Sequence, residues 1–354
     1  MATEDVRSRN STAGSVVSSV DTELIRAAQH GDEDAYTRLI APHRTELHAH
    51  CYRLLGSNAD AEDALQEALV RAWRGLSGFE GRSSLRSWLY TIATNSCLKI
   101  IERRPPRVLP IDYGPAADPH DYTGVPIGES TWLEPYPAAG LLSAEVLTPE
   151  ARYELRESVE LAFVAALQYL PPAQRAALIL RDVLGFSGAE TAQLLGTTAT
   201  SVYSSLQRAH KTVSERVPHP SQQATLRALG DDELAVIVRR FVDAWQTADV
   251  DGLVAMLTED ATFSMPPLPE WYHGTASIAA FLAAHPLHAR NRWRLVPTFA
   301  SGQLAFGHYL WDEAQGSFQP HSLDVITLRA NRIAAAVGFF RPDLFAAAGL
   351  PAAM

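Results

Sequence analysis

Between residues 105 and 150 the chain holds nine prolines, four glycines and seven acidic residues against one basic residue. Proline locks φ and lacks an amide hydrogen, so no helix or sheet interior runs through such a stretch. Loops of this length do not belong inside one compact domain. The segment therefore reads as an acidic, Pro-rich inter-domain linker, and the chain must fold as separate units on either side of it. With 354 residues, 47% of them hydrophobic, there is length for two or three domains and apolar material for their cores. The expected division is a disordered polar tail over 1–20, a helical unit over 21–104, the linker over 105–150, a second helical unit over 151–217 and a mixed unit over 218–354.

The formal charge of -10 excludes a surface that is basic throughout, but not local basic faces. Cys51 and Cys97 are too few for a disulfide framework, which points to a reducing compartment. The N-terminal tail has no apolar centre and so does not read as a signal peptide. No run of about 18 apolar residues is present, so no bilayer span is expected. A soluble, cytoplasmic protein with no membrane partner is the expectation.

Residues 60–76 read as one amphipathic helix. Leu65, Leu69, Ala72, Trp73 and Leu76 recur at spacings of three and four and form its buried stripe. Asp60, Asp63, Glu67, Arg71 and Arg74 share one face, acid first and base last, in agreement with the helix dipole. That pattern fits a solvated face laced with i,i+4 pairs, or a docking face for a basic partner. The next helix starts at Ser83 or Ser84, with Leu85, Trp88, Leu89, Ile92 and Ala93 as core candidates. Arg82, Arg86, Ser87, Tyr90, Thr91, Asn95 and Lys99 are left as a polar, partly basic and aromatic surface. Rings accept the faces of unstacked bases while arginine neutralises phosphate, so this surface suits opened nucleic acid. Trp88 fits a core position equally well.

Ser187-Gly188-Ala189-Glu190 is a capping box that starts a helix, and Gly196 is the expected left-handed stop. After Thr197 and Thr198 a second helix runs over 200–213. Val202, Leu206, Ala209 and Val213 form its buried side; Thr200, Ser201, Tyr203, Ser204, Gln207, Arg208 and Lys211 are left outside. Helix, glycine turn, then a helix that is small and polar at its start and basic at its end is the helix-turn-helix pattern, which places the second helix in the major groove. Helical hairpins that never touch DNA share this spacing.

In the last unit, Leu234, Ile237, Val238, Phe241 and Trp245 mark a long helix after Asp231-Asp232-Glu233. A short helix over 250–257, a strand over 261–265 and a helix over 277–284 follow. Strands are expected near 293–299, 303–311, 321–329 and 333–340, with a turn at Ala330-Asn331. Helices on a curved antiparallel sheet make an α+β arrangement. His43, His48, His50 and Cys51 lack a second pair at structural-zinc spacing, so no metal and no cofactor is expected.

Several motifs then fall in a known order. Asp60-Ala61-Glu62-Asp63-Ala64-Leu65-Gln66-Glu67, Phe79-Glu80-Gly81-Arg82-Ser83-Ser84-Leu85-Arg86-Ser87-Trp88-Leu89-Tyr90 and Ile92-Ala93-Thr94-Asn95 resemble region 2 of extracytoplasmic-function (group 4) sigma factors. Leu170-Pro171-Pro172, Gln174-Arg175, Leu180-Arg181-Asp182 and the run from Ser201 to Ala209 resemble region 4. Trp132-Leu133-Glu134-Pro135-Tyr136-Pro137 and the long extension are similar to the subfamily with a SnoaL-like, nuclear-transport-factor-2-like (NTF2-like) domain, the sigma-G type first and the sigma-J type next. The implied fold is multi-domain: two all-α domains, a region 2 bundle and a region 4 helix-turn-helix, plus an α+β SnoaL-like domain.

The resemblance implies roles. Asp60, Asp63, Gln66 and Glu67 match the surface that docks on the clamp helices of the β′ subunit, in a core RNA polymerase contacted through β′ and β. Arg82, Ser83, Ser84, Arg86, Ser87, Trp88, Tyr90 and Asn95 match the part that opens and reads the −10 element of promoter DNA. Thr200, Ser201, Tyr203, Ser204, Gln207, Arg208 and Lys211 match the −35 reader, where Tyr203 replaces a position often basic in the family. The acidic linker is expected to thread the polymerase cleft and to be displaced by nascent RNA. The SnoaL-like fold implies a conical pocket, with Trp271, Tyr272, His273, His308, Tyr309, Trp311, His321 and Asp324 as its polar candidates for a small-molecule ligand; Asp260 is expected at a turn. The expected function is an alternative sigma factor, not an enzyme, with the extension as a regulatory module. The alternatives are an isomerase-like, cyclase-like or ligand-sensing domain fused to a DNA-binding regulator, and a helix-turn-helix regulator that works without polymerase. No anti-sigma partner is named by the sequence.

Overall fold

A computed structural model describes residues 19–128, 131–137, 153 and 155–354. The expected tail and the linker stretch 138–152 lie outside the described residues, apart from the start of the first helix. The first helical unit is a bundle of α1 (Ser19–Gln29), α2 (Glu33–Ile40), α3 (Arg44–Leu55), α4 (Asn58–Gly75) and α5 (Leu85–Ile101). Side-chain caps start three of these helices: Asp32 accepts from the Ala35 amide, Ser57 from that of Asp60 and Ser84 from that of Ser87. Each cap satisfies one of the amides a helix leaves open at its first turn. Leu65, Leu69, Ala72 and Leu76 are buried as the period predicts.

Region 4 comprises α6 (Leu161–Gln168), α7 (Pro172–Leu178), which continues into a π-helical turn Ile179–Val183, α8 (Gly188–Leu194) and α9 (Ala199–Ser214). The Ser187–Glu190 capping box closes reciprocally, and Gly196 turns the chain at φ +61°.

The C-terminal domain opens with α10 (Gln222–Gln246), broken at Gly230 (φ +73°), so a first segment precedes the helix expected after the acidic triplet. After a short helix Val250–Val254 come β1 (Leu257–Ser264), β2 (Trp271–His273), α11 (Thr275–Ala284), β3 (Trp293–Ala300), β4 (Gln303–Asp312), β5 (Ser317–Arg329) and β6 (Arg332–Phe339). The sheet order is β2-β1-β6-β5-β4-β3; the β1–β6 pair alone is parallel. β2 is too short for its period to show in sequence. Asp260 lies within β1, paired on the surface with Arg329, and not at a turn.

The described linker is pinned to both sides. Val108 and Trp132 form a parallel bridge, and Trp132, Leu133 and Tyr136 are buried. The Glu134 amide donates to the Gly56 carbonyl at 3.0 Å, and Tyr136 exchanges backbone contacts with Ser301 of the sheet domain. At Gly56, which has φ +70°, an added Cβ would lie 2.7 Å from Leu133 Cδ1, so glycine is required twice over. The Glu134 carboxylate is buried against Arg107 and Arg341, so this acid is not part of a free negative strap. One hydrophobic cluster runs through region 2, the Leu133 and Tyr136 anchor, region 4 and the far face of the sheet; a second belongs to the C-terminal domain with Ala117 and Tyr122 of the linker against it.

Candidate functional site

On α4, Asp63, Gln66 and Glu67 are exposed, Glu67 paired with Arg71 and Gln66 donating to Glu62 at 2.7 Å. Asp60 departs from expectation. It is 7% exposed, held by Arg104 and by Arg107 Nη2 at 2.6 Å. Its helical phase matches Glu67, but the chain after α5 folds over the start of α4 and covers it. Asp60 ties the linker to region 2 and leaves Asp63, Gln66 and Glu67 as the exposed part of the predicted docking face.

On α5 the predicted reader residues divide. Arg82 is exposed beside Glu80, Ser84 caps the helix, and Ser83 and Ser87 flank that cap half-buried. Trp88 packs against Phe79 at 5.1 Å and, with Arg71, Ile92, Asn95 and Lys99, lines a surface hollow of about 600 Å³. Tyr90, expected on the surface, is buried: its hydroxyl donates to Glu46 at 3.3 Å and its ring meets Phe186 of region 4 edge-on at 5.5 Å. Arg86 stacks on both rings, 5.0 Å from Tyr90 and 4.9 Å from Phe186. Of the eight predicted residues, Tyr90 is thus buried and Arg86 half-buried against the other module. Sequence periodicity on α5 could not show this. The available signal was Phe186 itself, an apolar residue just before a capping box.

The α9 residues behave as predicted: Thr200, Ser201, Tyr203, Ser204, Gln207, Arg208 and Lys211 are all exposed. Tyr203 is 57% exposed, yet its hydroxyl lies where a Cβ on residue 188 would come within 2.7 Å, so Gly188 leaves the room that lets α8 and this side chain approach.

The modules are locked together by buried arginines. Arg53 on α3 donates through Nη2 to Ser158 Oγ at 2.7 Å, and Arg175 on α7 donates to the carbonyls of Leu54, Gln168 and Leu170. Burial lowers the pKa of Arg175 to about 10, which leaves it cationic at neutral pH. At the joint with the sheet domain, Glu160 accepts from the Gln222 and Gln223 amides at the start of α10; burial outweighs these bonds and raises its pKa to about 7.

The sheet domain holds a cavity of about 210 Å³, and of the eight polar candidates predicted for it His308, His321 and Asp324 line it while Trp271, Tyr272, His273, Tyr309 and Trp311 do not. Along β4 side chains alternate, so Tyr309 points to the opposite face and donates to the Pro351 carbonyl, while Trp311 lies under Arg292 near the strand end. Trp271 donates to Gly114 of the linker, Tyr272 stacks behind Phe281 at 4.3 Å, and His273 is exposed. His308 Nε2 lies 3.6 Å from Asp324 Oδ2, while Ser322 donates to Asp324 Oδ1 at 2.7 Å. Burial depresses the His308 pKa to about 3 and raises that of Asp324 to about 6. Among the described residues no cluster of histidine, cysteine and carboxylates could hold a metal ion, and no helix is long and apolar enough to cross a membrane.

With this geometry in place, the likenesses to known proteins are specific. Residues 39–105 match sigma-70 region 2, 160–213 match sigma-70 region 4 and 238–336 match a SnoaL-like domain. The chain is 41% identical over 325 residues to the ECF RNA polymerase sigma factor SigG of Mycobacterium tuberculosis, covering 91% of this chain and 85% of that one. It is 30% identical over 189 residues to SigM of the same organism, covering 53% of this chain and 80% of that one. The crystal structure of M. tuberculosis SigJ superimposes with a TM-score of 0.54 at 24% identity, over 87% of this chain and 97% of that one, and shares the fold. The two helical modules, their order and the appended cone lead to one conclusion: the chain belongs to the extracytoplasmic-function RNA polymerase sigma factors, initiation factors rather than enzymes that direct core polymerase to promoters, and it carries a SnoaL-like C-terminal domain.

Proposed function

We propose that α5 opens and reads the −10 element, that α9 reads the −35 element, and that Asp63, Gln66 and Glu67 dock on the β′ clamp helices. The C-terminal domain is a regulatory module that holds regions 2 and 4 closed on each other. The observation that carries this reading is Phe186, which packs on buried Tyr90 and stacks on half-buried Arg86 of the helix proposed to read the −10 element. A sigma factor spanning both promoter elements has to part these modules, and the linker anchor at Leu133 and Tyr136, shared between region 2 and the sheet, opposes that parting. Exposed Arg208 and Lys211 at the end of α9 suit phosphate positioning, with Thr200, Ser201 and Ser204 nearer the bases.

Run-off transcription with purified core polymerase tests the reading. The full chain is expected to confer start sites that core enzyme alone lacks, and substitution of Asp63 and Glu67 by amides is expected to weaken that transcription. No new start site from a complex that forms would overturn it.

A further inference from the structure

The cavity in the sheet domain has a wall that does not belong to the domain. Tyr122 comes from the linker and packs against Phe281 at 5.5 Å and His285 at 4.5 Å. The linker is fastened on both sides of it. Ala117 donates to the Trp271 carbonyl at 2.8 Å, Trp271 Nε1 donates back to Gly114, Thr123 bonds Glu270, and Ile127 donates to the Pro267 carbonyl at 2.9 Å. Opposite, deep in the cone, His308 is buried and its Nε2 has no hydrogen-bond partner among the described residues. Its separation of 3.6 Å from Asp324 Oδ2 is beyond hydrogen-bond reach. An orphaned polar atom in a dry interior is costly and calls for a missing partner.

Trp245, Phe263, Phe281, Trp293 and Phe340 line the cavity, and no lysine or arginine does. An anion would face Asp324 with no lysine or arginine to balance it. A hydroxyl suits the gap, since it accepts from an imidazole N–H and donates to a carboxylate at the same time. At about 210 Å³ the space is below the roughly 300–1,000 Å³ of drug-sized sites, which limits the occupant to one or two rings. Gly338 pairs with Asp324 across β5 and β6, and an added Cβ would lie 2.9 Å from Asp324 Oδ1, so glycine leaves the carboxylate its place.

We infer that this cavity binds a compact neutral ring compound bearing one hydroxyl, held between His308 and Asp324 at one end and Tyr122 of the linker at the other, so that occupancy locks the linker on the domain. The binding half stands on the cavity alone; the linker half rests on the regulatory reading above.

Calorimetry on the full chain with phenol, 2-naphthol, naphthalene, 2-naphthoate and 2-naphthylmethylamine tests the first half. The expected result is 1:1 binding of phenol or 2-naphthol, binding of naphthalene about tenfold weaker for the loss of the hydroxyl bonds, and none of 2-naphthoate. Asp324→Ala removes the acceptor, but its folding is uncertain in a buried position, so Gly338→Ala serves beside it and is expected to narrow the preference for 2-naphthol over naphthalene. Absence of binding by both neutral alcohols, or tighter binding of the amine, overturns the site. Hydrogen exchange at the Ala117, Thr123 and Ile127 amides tests the second half. Slowing by bound 2-naphthol supports it, and exchange unchanged in the saturated protein overturns it. Run-off transcription separates the two readings: promoter-specific starts without alcohol binding sink the ligand site alone.

Discussion

The two helices proposed to read DNA are presented in opposite ways. Every predicted reader residue on α9 stands in solvent, while α5 offers Trp88 and Asn95 at an open hollow, buries Tyr90 against Phe186 and leaves Arg86 half-buried across both rings. A helix that reads duplex DNA in the major groove needs only to be exposed. One that captures unstacked bases presents rings and arginines, groups that also pack well on a neighbouring module. On the proposed assignment, the difference teaches that the closed arrangement would restrain melting more directly than −35 contact.

The comparison can be broken first at its centre. Phe186→Ala removes a buried ring, and a loss of about 3 kcal/mol in the packing of region 4 on region 2 is expected, read by chemical denaturation. The same variant should bind single-stranded −10 DNA more tightly than the parent. Equal binding would mean that Phe186 covers nothing DNA needs. Next comes α4, where two acids of one helix should behave differently. Asp60→Asn leaves buried Arg107 short of charge and should cost about 3 kcal/mol of stability. Asp63→Asn should stay within about 0.5 kcal/mol in the same melts and act only on polymerase affinity.

A smaller effect is expected on α9. Arg208→Ala should weaken duplex binding by about 1 kcal/mol, reduce the salt slope by about one, and leave sequence preference unchanged. Base-specific loss at one position would make Arg208 a reader and not a phosphate contact. The smallest effect is with pH. Since burial raises the Glu160 pKa to about 7, the folded state binds its proton more tightly than the unfolded chain does. The stability it contributes is complete below the ordinary carboxylate value and is lost as pH rises through about 7. Thermal melts from about pH 4.5 to about pH 7 should show this decline in the parent and a flatter profile in Glu160→Gln.

Much of this architecture was legible in the residues. The Ser187–Glu190 box, the Gly196 stop and the buried Val202, Leu206 and Ala209 follow from local geometry, because caps and helical periods are set by neighbours in sequence. The strands of the last domain and the turn at Ala330 are local in the same sense. The pocket was legible only in part, through His308, His321 and Asp324. Tyr309 and Trp311 stand on other sides of the strand or its end than His308, and the wall at Tyr122 comes from a segment with no period at all. The burial of Asp60 was not legible, since its helical phase gave no warning of the cover laid over it from Arg104 and Arg107.

By itself, then, the amino-acid order determined the helices, the strands, the two helical modules and the family to which they belong, since each depends on hydrogen bonds and side-chain spacing within a few residues. Tertiary structure alone decided which of the reader residues are open, which acids face solvent and what closes the cone. These properties depend on groups far apart in the chain, such as Phe186 with Arg86 and Tyr122 with Phe281, whose meeting is set by how separately folded surfaces bury apolar area against each other.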